Sequence, residues 1–290
     1  MNQYIRIPHH ILVVDNASAD GTSEMVSKEY PDAILIQSPE NLGFSRAMNA
    51  GLDYLNQNKL PCDYVVFLND DAVFRDESLV GLIQYLKKNS HVYAALPSVF
   101  SGHDQLQTGA GGYELSLSTA FFYFSGLSIL LPFVFKGFFI HQKYFRNKGI
   151  VLEVDWISGV CLVLKGKAAD KLRFPEDYFM YAEDVALCQE IKNFGKIVYF
   201  PSAQIFHVRE KNRSFVYSSL WLDSLFQYYK LKSGSKKPSR LWFLKIIFMG
   251  GFLMRSFGYT VVDFFSQKNY QKKRKELRDY IRHIWESFSR

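Results

Sequence analysis

Two clusters of acidic and polar side chains, far apart along the chain, each lie next to an apolar segment. Asn69-Asp70-Asp71 directly follows the apolar run Tyr64 to Leu68, Glu183-Asp184 follows Phe179 to Ala182, and His207 lies further on. In α/β sheets, ligands bind at the carboxyl ends of strands, and a divalent cation held there by carboxylates neutralises a diphosphate leaving group. These residue types therefore predict a cation and diphosphate site with a base beside it.

Short apolar runs alternate with helical patterns along most of the chain. Helical spacing is clear from Thr22 to Tyr30 and again after Gly43. This alternation predicts an α/β fold with a doubly wound, mostly parallel sheet, whose strand ends gather the polar clusters. The predicted strands are Ile11 to Val14, Ala33 to Ile36, Tyr64 to Leu68, Tyr93 to Leu96, Val160 to Leu164 and Lys196 to Phe200.

Composition and charge limit the classes of protein. The 290 residues are 48% hydrophobic and 17% aromatic, enough for one sizeable core and a smaller appendage, so a disordered chain is not expected. The net charge of +7 is uneven, because residues 209–290 contain 18 Lys or Arg against 6 Asp or Glu. A basic, aromatic tail on an acidic body favours an anionic membrane surface as partner, and without a nucleic-acid motif we expect no nucleic-acid partner.

The cysteines and the N-terminal residues predict a cytoplasmic location. Cys62, Cys161 and Cys188 are unclustered and lie in apolar segments, which fits neither a zinc site nor a disulfide framework. Residues 1–8 lack the basic start and long apolar stretch of a signal peptide. We therefore expect the functional face of the protein in the cytosol.

Several short motifs follow one another along the chain. They are Val14 to Ser18, Asn41 to Phe44 with Asn49 and Gly51, Leu68 to Asp71, Ser158-Gly159, Phe179 to Cys188, and His207. Their order resembles that of the motifs of family 2 glycosyltransferases, which have the GT-A fold, and most closely that of the bacterial rhamnosyltransferase group. The resemblance extends over about residues 9 to 230 and rests on the order of the motifs, because each alone is weak.

This resemblance implies a metal-dependent, inverting transfer of a sugar from a nucleotide donor. It implies dTDP-L-rhamnose or a UDP-hexose as donor, a polyprenyl-linked or polysaccharide acceptor, and Mg²⁺ or Mn²⁺ as cofactor. Asp184 would be the base and Glu183 would orient it or the acceptor, while Asp71 and His207 would bind the metal. The implied donor-binding residues are Asp15, Asn41, Gly43, Asn49, Asn69 and Asp70.

Each of these residues also has a purely structural interpretation. Asp15 could cap the following turn and helix, and the segment around Gly43 could be a plain helix-entry loop. Residues 69–71 could be an acidic turn before the helix near Glu77. In the D-x-D element that they resemble, Asn69 replaces the first acid, and strand alternation lets Asn69 and Asp71 converge while Asp70 points away.

The second cluster and the histidine also have purely structural interpretations. Acids at 183 and 184 could simply complement a helix dipole, and a lone His207 could be a packed side chain. A helix start lowers the pKa of a carboxylate, whereas a base needs it raised, so burial must compensate if Asp184 is the base.

One departure from the family pattern concerns the sheet. Family members begin with a strand and helix before the segment that matches Ile11 to Val14, and only ten residues precede it here. The resemblance places that first strand between the Asp15 strand and the Asn69 strand, so we expect a sheet that lacks it. An upstream start or a degenerate copy would explain this, and the alternative function is an inactive, membrane-associated binding or scaffold component.

A second departure is the segment Leu115 to Phe135, which carries no charge and is long enough to span a membrane. A single crossing would separate Asp71 from Asp184, so an interfacial or re-entrant helical hairpin is predicted, with a buried hairpin as the soluble alternative. We expect a catalytic domain at 1–215 that contains a hydrophobic insertion at about 115–140.

The C-terminal region, residues 216–290, predicts helices that lie on a membrane. Leu241 to Phe265 is apolar but contains Lys245, Arg255 and Asp263, which favours amphipathic helices over a span. The cluster Lys272 to Lys275 would be attracted to anionic lipid by about 1 kcal/mol per basic residue. Peripheral attachment to the cytoplasmic face of the bacterial cell membrane is therefore predicted.

Overall fold

The computed structural model describes residues 5–101, 105–208, 215–234, 238–266 and 270–288. Residues 1–4 of the N-terminal segment and 268–269 of the basic tail lie outside these ranges. The chain divides into two compact units, one from segments 1–111 and 142–209 and one from segments 112–141 and 210–290. The hydrophobic insertion thus groups with the C-terminal helices, whereas the boundary at residue 215 remains a prediction.

The first unit contains the strand and helix alternation. In chain order its elements are β1 (Leu12–Asp15), α1 (Thr22–Glu29), β2 (Ile34–Gln37), α2 (Gly43–Gln57), β3 (Tyr64–Leu68), β4 (Ala72–Val73), α3 (Ser78–Lys88), β5 (Val92–Ser101) and β6 (Gln105–Leu106). After β7 (Gly111–Gly112), the chain forms α4 (Leu117–Phe124) and α5 (Leu127–Leu130), which belong to the second unit. The first unit then continues with α6 (Gln142–Lys148), β8 (Leu152–Val154), β9 (Trp156–Ile157), β10 (Cys161–Lys165), α7 (Gly166–Ala169), α8 (Glu183–Ile191) and β11 (Lys196–His207).

The main sheet of this unit is mixed. Its strands run in the order β3-β10-β5-β11-β4, with β6 paired to β5 and β8 paired to β11. Strand β10 is antiparallel to both β3 and β5, while β5 and β11 are parallel. The predicted α/β sheet is confirmed, and it is a mixed sheet: β10 and the short strands β4, β6 and β8 all run antiparallel to the strands they pair with. A strand buried on both faces is a continuous apolar run in either direction, so the sequence does not reveal its orientation.

The sheet is interrupted beside β1 and β3, as predicted for a missing first strand. Strand β1 pairs only with β2, in a separate two-stranded parallel sheet, and β3 is the last strand of the main sheet. Within the described ranges, one edge of each strand has no partner strand. The side chains of Leu12 to Val14 and of Tyr64 to Val66 are consequently half-buried, whereas those of β10 are buried up to Leu164.

Aromatic packing connects β3 to α2 in this unit. The ring of Phe174 lies edge-on to Phe67 of β3 at 5.0 Å and edge-on to Phe44 of α2 at 5.7 Å. Such pairs contribute about 0.5–1.5 kcal/mol beyond the area they bury. This contact fixes the start of α2 next to the end of β3, where the first polar cluster lies.

The second unit is helical. Its elements are α4 (Leu117–Phe124), α5 (Leu127–Leu130), α9 (Phe215–Ser233), α10 (Pro238–Ser266) and α11 (Gln271–Glu286). Gly126, with φ of +79°, separates α4 from α5, so the apolar insertion forms two short helices. The segment Leu241 to Phe265, predicted to form several helices, lies within one long helix, α10. By length and composition alone, Ser239–Phe265 of this helix is long and apolar enough to cross a membrane.

Aromatic rings hold these helices together. Phe124 of α4 contacts Phe248 and Phe252 of α10 at ring separations of 4.8 and 5.3 Å, and Phe252 stacks on Tyr280 of α11. A Cβ atom on Gly251 would lie 2.0 Å from the Phe124 ring, so glycine permits this close approach. The adjacent Gly250 faces open space.

Paired substitutions test this packing. Gly250→Ala should raise the urea midpoint of unfolding, because alanine is favoured over glycine in a helix by about 1 kcal/mol. Gly251→Ala gains the same helix propensity but overlaps the Phe124 ring, and overpacking costs about 1–3 kcal/mol. We therefore expect Gly251→Ala to unfold at a lower urea concentration than Gly250→Ala, and equal midpoints would contradict this packing.

Candidate active site

Strand pairing brings Asp71 and His207 together. The short strand β4 pairs with the end of β11, with Ala72 opposite His207, and the Val208 N–H donates to the Asp71 carbonyl at 2.7 Å. A turn after β3, closed by the Ala72 N–H and the Asn69 carbonyl at 3.1 Å, points Asp71 at the histidine. Asp71 Oδ1 lies 2.9 Å from His207 Nε2, and Asn69 Nδ2 lies 3.5 Å from the same nitrogen.

The electrostatics of this pair fit a bound cation. The imidazole is 3% exposed, and its Nδ1 lies 2.7 Å from Gln107 Oε1, an amide oxygen that only accepts hydrogen bonds. Nδ1 then carries the proton of the neutral ring, and Nε2 presents its lone pair to Asp71 Oδ1, a buried oxygen without a hydrogen-bond partner among the described residues. Two acceptor atoms that face each other repel, and a divalent cation bound by both removes the repulsion.

Asp71 and His207 are a predicted pair of metal ligands. Among the described residues, no three His, Cys, Asp or Glu side chains cluster in a way that could hold a metal ion. A carboxylate and an imidazole are groups that Mg²⁺ and Mn²⁺ accept, and in the predicted site the remaining ligands would be oxygens of a bound diphosphate or of water.

Asp184 lies at the start of α8 and is held by backbone N–H groups. Its Oδ2 accepts from Gly159 at 3.1 Å, and its Oδ1 accepts from Val185 at 2.8 Å. The two residues before α8, Tyr181 and Ala182, have φ values of +70° and +65°. Consecutive non-glycine residues in the left-handed region are costly and concentrate at functional sites.

Neighbouring residues at the start of β10 connect Asp184 to the first cluster. Gly159 donates to Asp184, and the carbonyl of the next residue, Val160, accepts from the Asn69 N–H at 3.1 Å. The base candidate and the turn that carries Asp71 are thus both hydrogen-bonded to residues 159–160. Asp70 is exposed, in the turn that follows β3 rather than on a strand, so its orientation comes from the turn and not from strand alternation.

Burial raises the pKa of both adjacent carboxyls. For Glu183, burial is the larger cause and the charge of Asp184 adds to it. For Asp184, burial raises the pKa, and the N–H groups of Gly159 and Val185 oppose the rise. The rise in pKa caused by desolvation is thus larger than the lowering caused by the helix start. A net rise in its pKa is the condition for Asp184 to act as a base near neutral pH. Glu183 Oε2 is buried and has no hydrogen-bond partner within the described ranges, which is consistent with a neutral carboxyl.

The loop before α2 is fixed by Asn16, which lies in the motif Val14 to Ser18 but for which the sequence predicted no role. Its Oδ1 accepts from the Leu42 N–H at 2.8 Å, and its Nδ2 donates to Asn41 Oδ1 at 3.0 Å and to the Gly43 carbonyl at 3.2 Å. Gly43 has φ of +78°, and a Cβ there would lie 2.6 Å from the carbonyl oxygen of Phe179. Glycine is therefore required for contact with the segment before Glu183.

Asp15 and Asn49 make contacts that match their structural interpretations. Asp15 accepts from the Ser18 N–H at 2.9 Å and from the Ser23 hydroxyl of α1, hydrogen bonds that lower its pKa. The Asn49 side chain is buried, exchanging hydrogen bonds with both backbone groups of Phe174 and donating to Glu176. Their roles in donor binding remain predictions.

The sequence also gave no indication of Gln107. It lies in a polar stretch without periodicity, and its importance depends on contacts with distant residues. An amide or carboxylate partner for a buried ligand histidine is a general requirement, but its position in the chain depends on the tertiary fold.

Comparison with known proteins gives a family match and several relatives. Residues 2–147 match the family model described as Glycosyl transferase family 2. An N-acetylglucosaminyl-diphospho-decaprenol L-rhamnosyltransferase of Mycobacterium tuberculosis is 26% identical over 209 residues, covering 69% of this chain and 66% of that protein. The rhamnosyltransferase WbbL of Escherichia coli is 25% identical over 195 residues, covering 64% of this chain and 69% of that protein. The chain thus matches about two thirds of the length of each relative.

A solved structure shows the same fold. The mannosyltransferase PcManGT from Pyrobaculum calidifontis, in complex with GDP-Man and Mn²⁺, superposes with a TM-score of 0.53 at 15% identity. The superposition covers 94% of this chain and 75% of that protein. At this identity the likeness establishes the fold alone.

Two glycines with positive φ allow a matched test of the loop before α2. Gly21→Ala should lower the free energy of unfolding by about 1–2 kcal/mol, the cost of a left-handed residue with a Cβ, because Gly21 has φ of +85° and nothing lies near its Cβ position. Gly43→Ala should cost more, since the added Cβ also overlaps the Phe179 carbonyl. Urea denaturation measures both losses, and similar losses would show that the contact with Phe179 is not tight.

Proposed function

Because the chain belongs to glycosyl transferase family 2, we propose that it transfers a sugar from a nucleotide donor to an acceptor hydroxyl with inversion at the anomeric carbon. The observation that carries the proposal is the joint placement of Asp71 with His207 and of Asp184 around residues 159–160. A metal-ligand pair and a buried base in one corner are what a single in-line displacement requires.

The reaction is a one-step substitution. The acceptor oxygen forms a bond to the anomeric carbon, the bond from that carbon to the diphosphate oxygen breaks, and the acceptor proton passes to a carboxylate oxygen of Asp184. Asp71 and His207 would hold a cation, which would supply the positive charge that the departing diphosphate needs. Glu183, kept neutral by burial and by the neighbouring charge, leaves Asp184 as the ionised member of the pair.

The relatives guide the choice of substrates. Their names specify L-rhamnose as the transferred sugar and, in the mycobacterial protein, a diphospho-decaprenol acceptor. The donor assigned here is therefore dTDP-L-rhamnose, with a UDP-hexose as the second choice. The acceptor is a polyprenyl-linked saccharide or a growing cell-surface polysaccharide.

A second candidate function is an inactive scaffold that keeps the glycosyltransferase frame. The interruption of the sheet between β1 and β3 favours it, because β1 leads directly into the candidate donor side. The buried His207 imidazole beside Asp71 and the raised pKa of Asp184 favour activity, since a site without function has no need of these costly features.

Transfer assays distinguish the two functions. With dTDP-L-rhamnose and Mn²⁺ or Mg²⁺, Asp184→Asn should lower the rate of transfer or of donor hydrolysis by about 10²–10⁴-fold, the usual contribution of a general base. Asp71→Ala should lower the rate and weaken the response to metal. The matched control is Asp32→Asn, an exposed acid in the turn before β2, which should keep the parent rate. Activity of Asp184→Asn equal to the parent would remove the base from the mechanism.

The pH profile provides a second readout in the same assay. Since the base acts in its ionised form and burial raises its pKa, the rate should rise with pH through an apparent pKa above 3.8, the ordinary value for aspartate. The adjacent carboxyls titrate as a pair, so the apparent value belongs to both.

The second unit attaches the protein peripherally to the cytoplasmic face of the cell membrane. Large apolar side chains are exposed at the end of α5 and along α10, among them Leu130 at 74%, Phe257 at 71% and Phe264 at 81%. The basic cluster on α11, Lys272 to Lys275, adds attraction to anionic lipid. A surface that combines both features fits a membrane interface better than water.

Vesicle co-sedimentation tests this attachment. The double substitution Phe264→Ser with Phe265→Ser should weaken binding to vesicles of any composition, because it removes two side chains that are at least 80% exposed. Lys272→Glu with Lys273→Glu should weaken binding only to vesicles that contain anionic phosphatidylglycerol, and only at low salt. Tyr30→Ser, an exposed aromatic residue of the first unit, is the control. Unchanged binding of both double variants would exclude this surface.

A further inference from the structure

The buried side chain of Gln107 connects the candidate metal site to the main sheet. The residue directly follows β6, and its backbone is held on both sides: its N–H donates to the Val99 carbonyl at 2.8 Å, and its carbonyl accepts from Gln142 Nε2 at 2.6 Å. Gln142 is itself fixed, since its Oε1 accepts from the Val99 N–H at 3.1 Å. The Gln107 amide is therefore attached to a rigid part of the first unit.

The orientation of this amide determines which imidazole nitrogen of His207 is protonated. Gln107 Oε1 lies 2.7 Å from Nδ1, and an amide oxygen can only accept, so the proton of the neutral ring is on Nδ1. Nε2 then presents its lone pair toward Asp71 Oδ1, at 2.9 Å. With the opposite amide orientation, the proton would move to Nε2, which could no longer bind a metal.

We propose that Gln107 is a positioning residue that holds His207 in the tautomer able to bind a divalent cation together with Asp71. This inference rests on the proposed function, because it assigns a role within the metal site of that reaction. Partners that orient a ligand histidine typically change metal affinity by about 10–100-fold when they are removed. Neither Gln107 nor Gln142 touches the reacting groups, so the effect acts through the histidine.

The tautomer can be measured without any metal. Long-range ¹H–¹⁵N correlation spectra of the full chain with ¹⁵N-labelled histidine distinguish Nδ1–H from Nε2–H, and the His207 signal is assigned by its loss in His207→Gln. We expect Nδ1–H in the metal-free protein. A ring protonated at Nε2 alone would overturn the inference.

Metal affinity gives the second measurement. Binding of Mn²⁺, followed by the electron paramagnetic resonance signal of the free ion, should be about 10–100-fold weaker in Gln107→Leu. In Gln107→Glu it should remain within a few-fold of the parent, because a carboxylate still accepts the Nδ1 proton. The control is Gln204→Leu, which removes an amide from the same strand as His207 but one that donates to Asp76.

The outcomes separate this inference from the proposed function. Parent-like Mn²⁺ affinity in Gln107→Leu, or equal losses in the Leu and Glu variants, would refute the orienting role even if sugar transfer is observed. Three results together would support both the role of Gln107 and the proposed function: loss of transfer in Asp184→Asn, an Nδ1–H tautomer of His207, and weaker Mn²⁺ binding in Gln107→Leu but not in Gln107→Glu. An Nδ1–H tautomer and tight Mn²⁺ binding without any transfer would support the role of Gln107 and refute the enzymatic function.

Discussion

The start of β10 is the constraint on which the site depends. Gly159 donates to the Asp184 carboxylate and lies against the Phe44 ring, where an added Cβ would be 3.0 Å from the ring, while Val160 accepts from Asn69. Three segments that are distant in sequence therefore meet at two adjacent residues. A larger side chain at 159 would move α2 relative to the carboxylate, so the geometry of the site depends on a small residue at this position.

Exclusion of water is the common cause of the unusual features of the site. It raises the pKa values of Glu183 and Asp184, and it leaves Asp71 Oδ1 and Glu183 Oε2 without hydrogen-bond partners in the described part of the chain. Together with the left-handed residues Tyr181 and Ala182, these groups lower the stability of the free protein. Substrate and cation would provide the missing partners, so the cost is consistent with a site prepared for a charged ligand.

The sequence predicted the local elements well and the long-range contacts poorly. Strand β3 and the start of α8 lie where the apolar run and the acidic first residues placed them, because both signals are local. Three features depend on residues that meet only in the folded chain. They are the orientation of β10, the partner of His207 and the need for glycine at position 43. Gly43 illustrates this: a glycine indicates close approach, but only the structure identifies the Phe179 carbonyl as the neighbour.

One edge each of β1 and β3 has no partner strand in the described part of the chain, which has a consequence for the behaviour of the protein in solution. Unpaired strand edges display rows of backbone donors and acceptors that can recruit strands from other molecules. Neither Leu12–Asp15 nor Tyr64–Leu68 contains the lysine or proline that commonly blocks such recruitment. Concentrated samples would therefore be prone to edge-to-edge aggregation at these strands, and a polypeptide that pairs with both edges would keep the protein soluble.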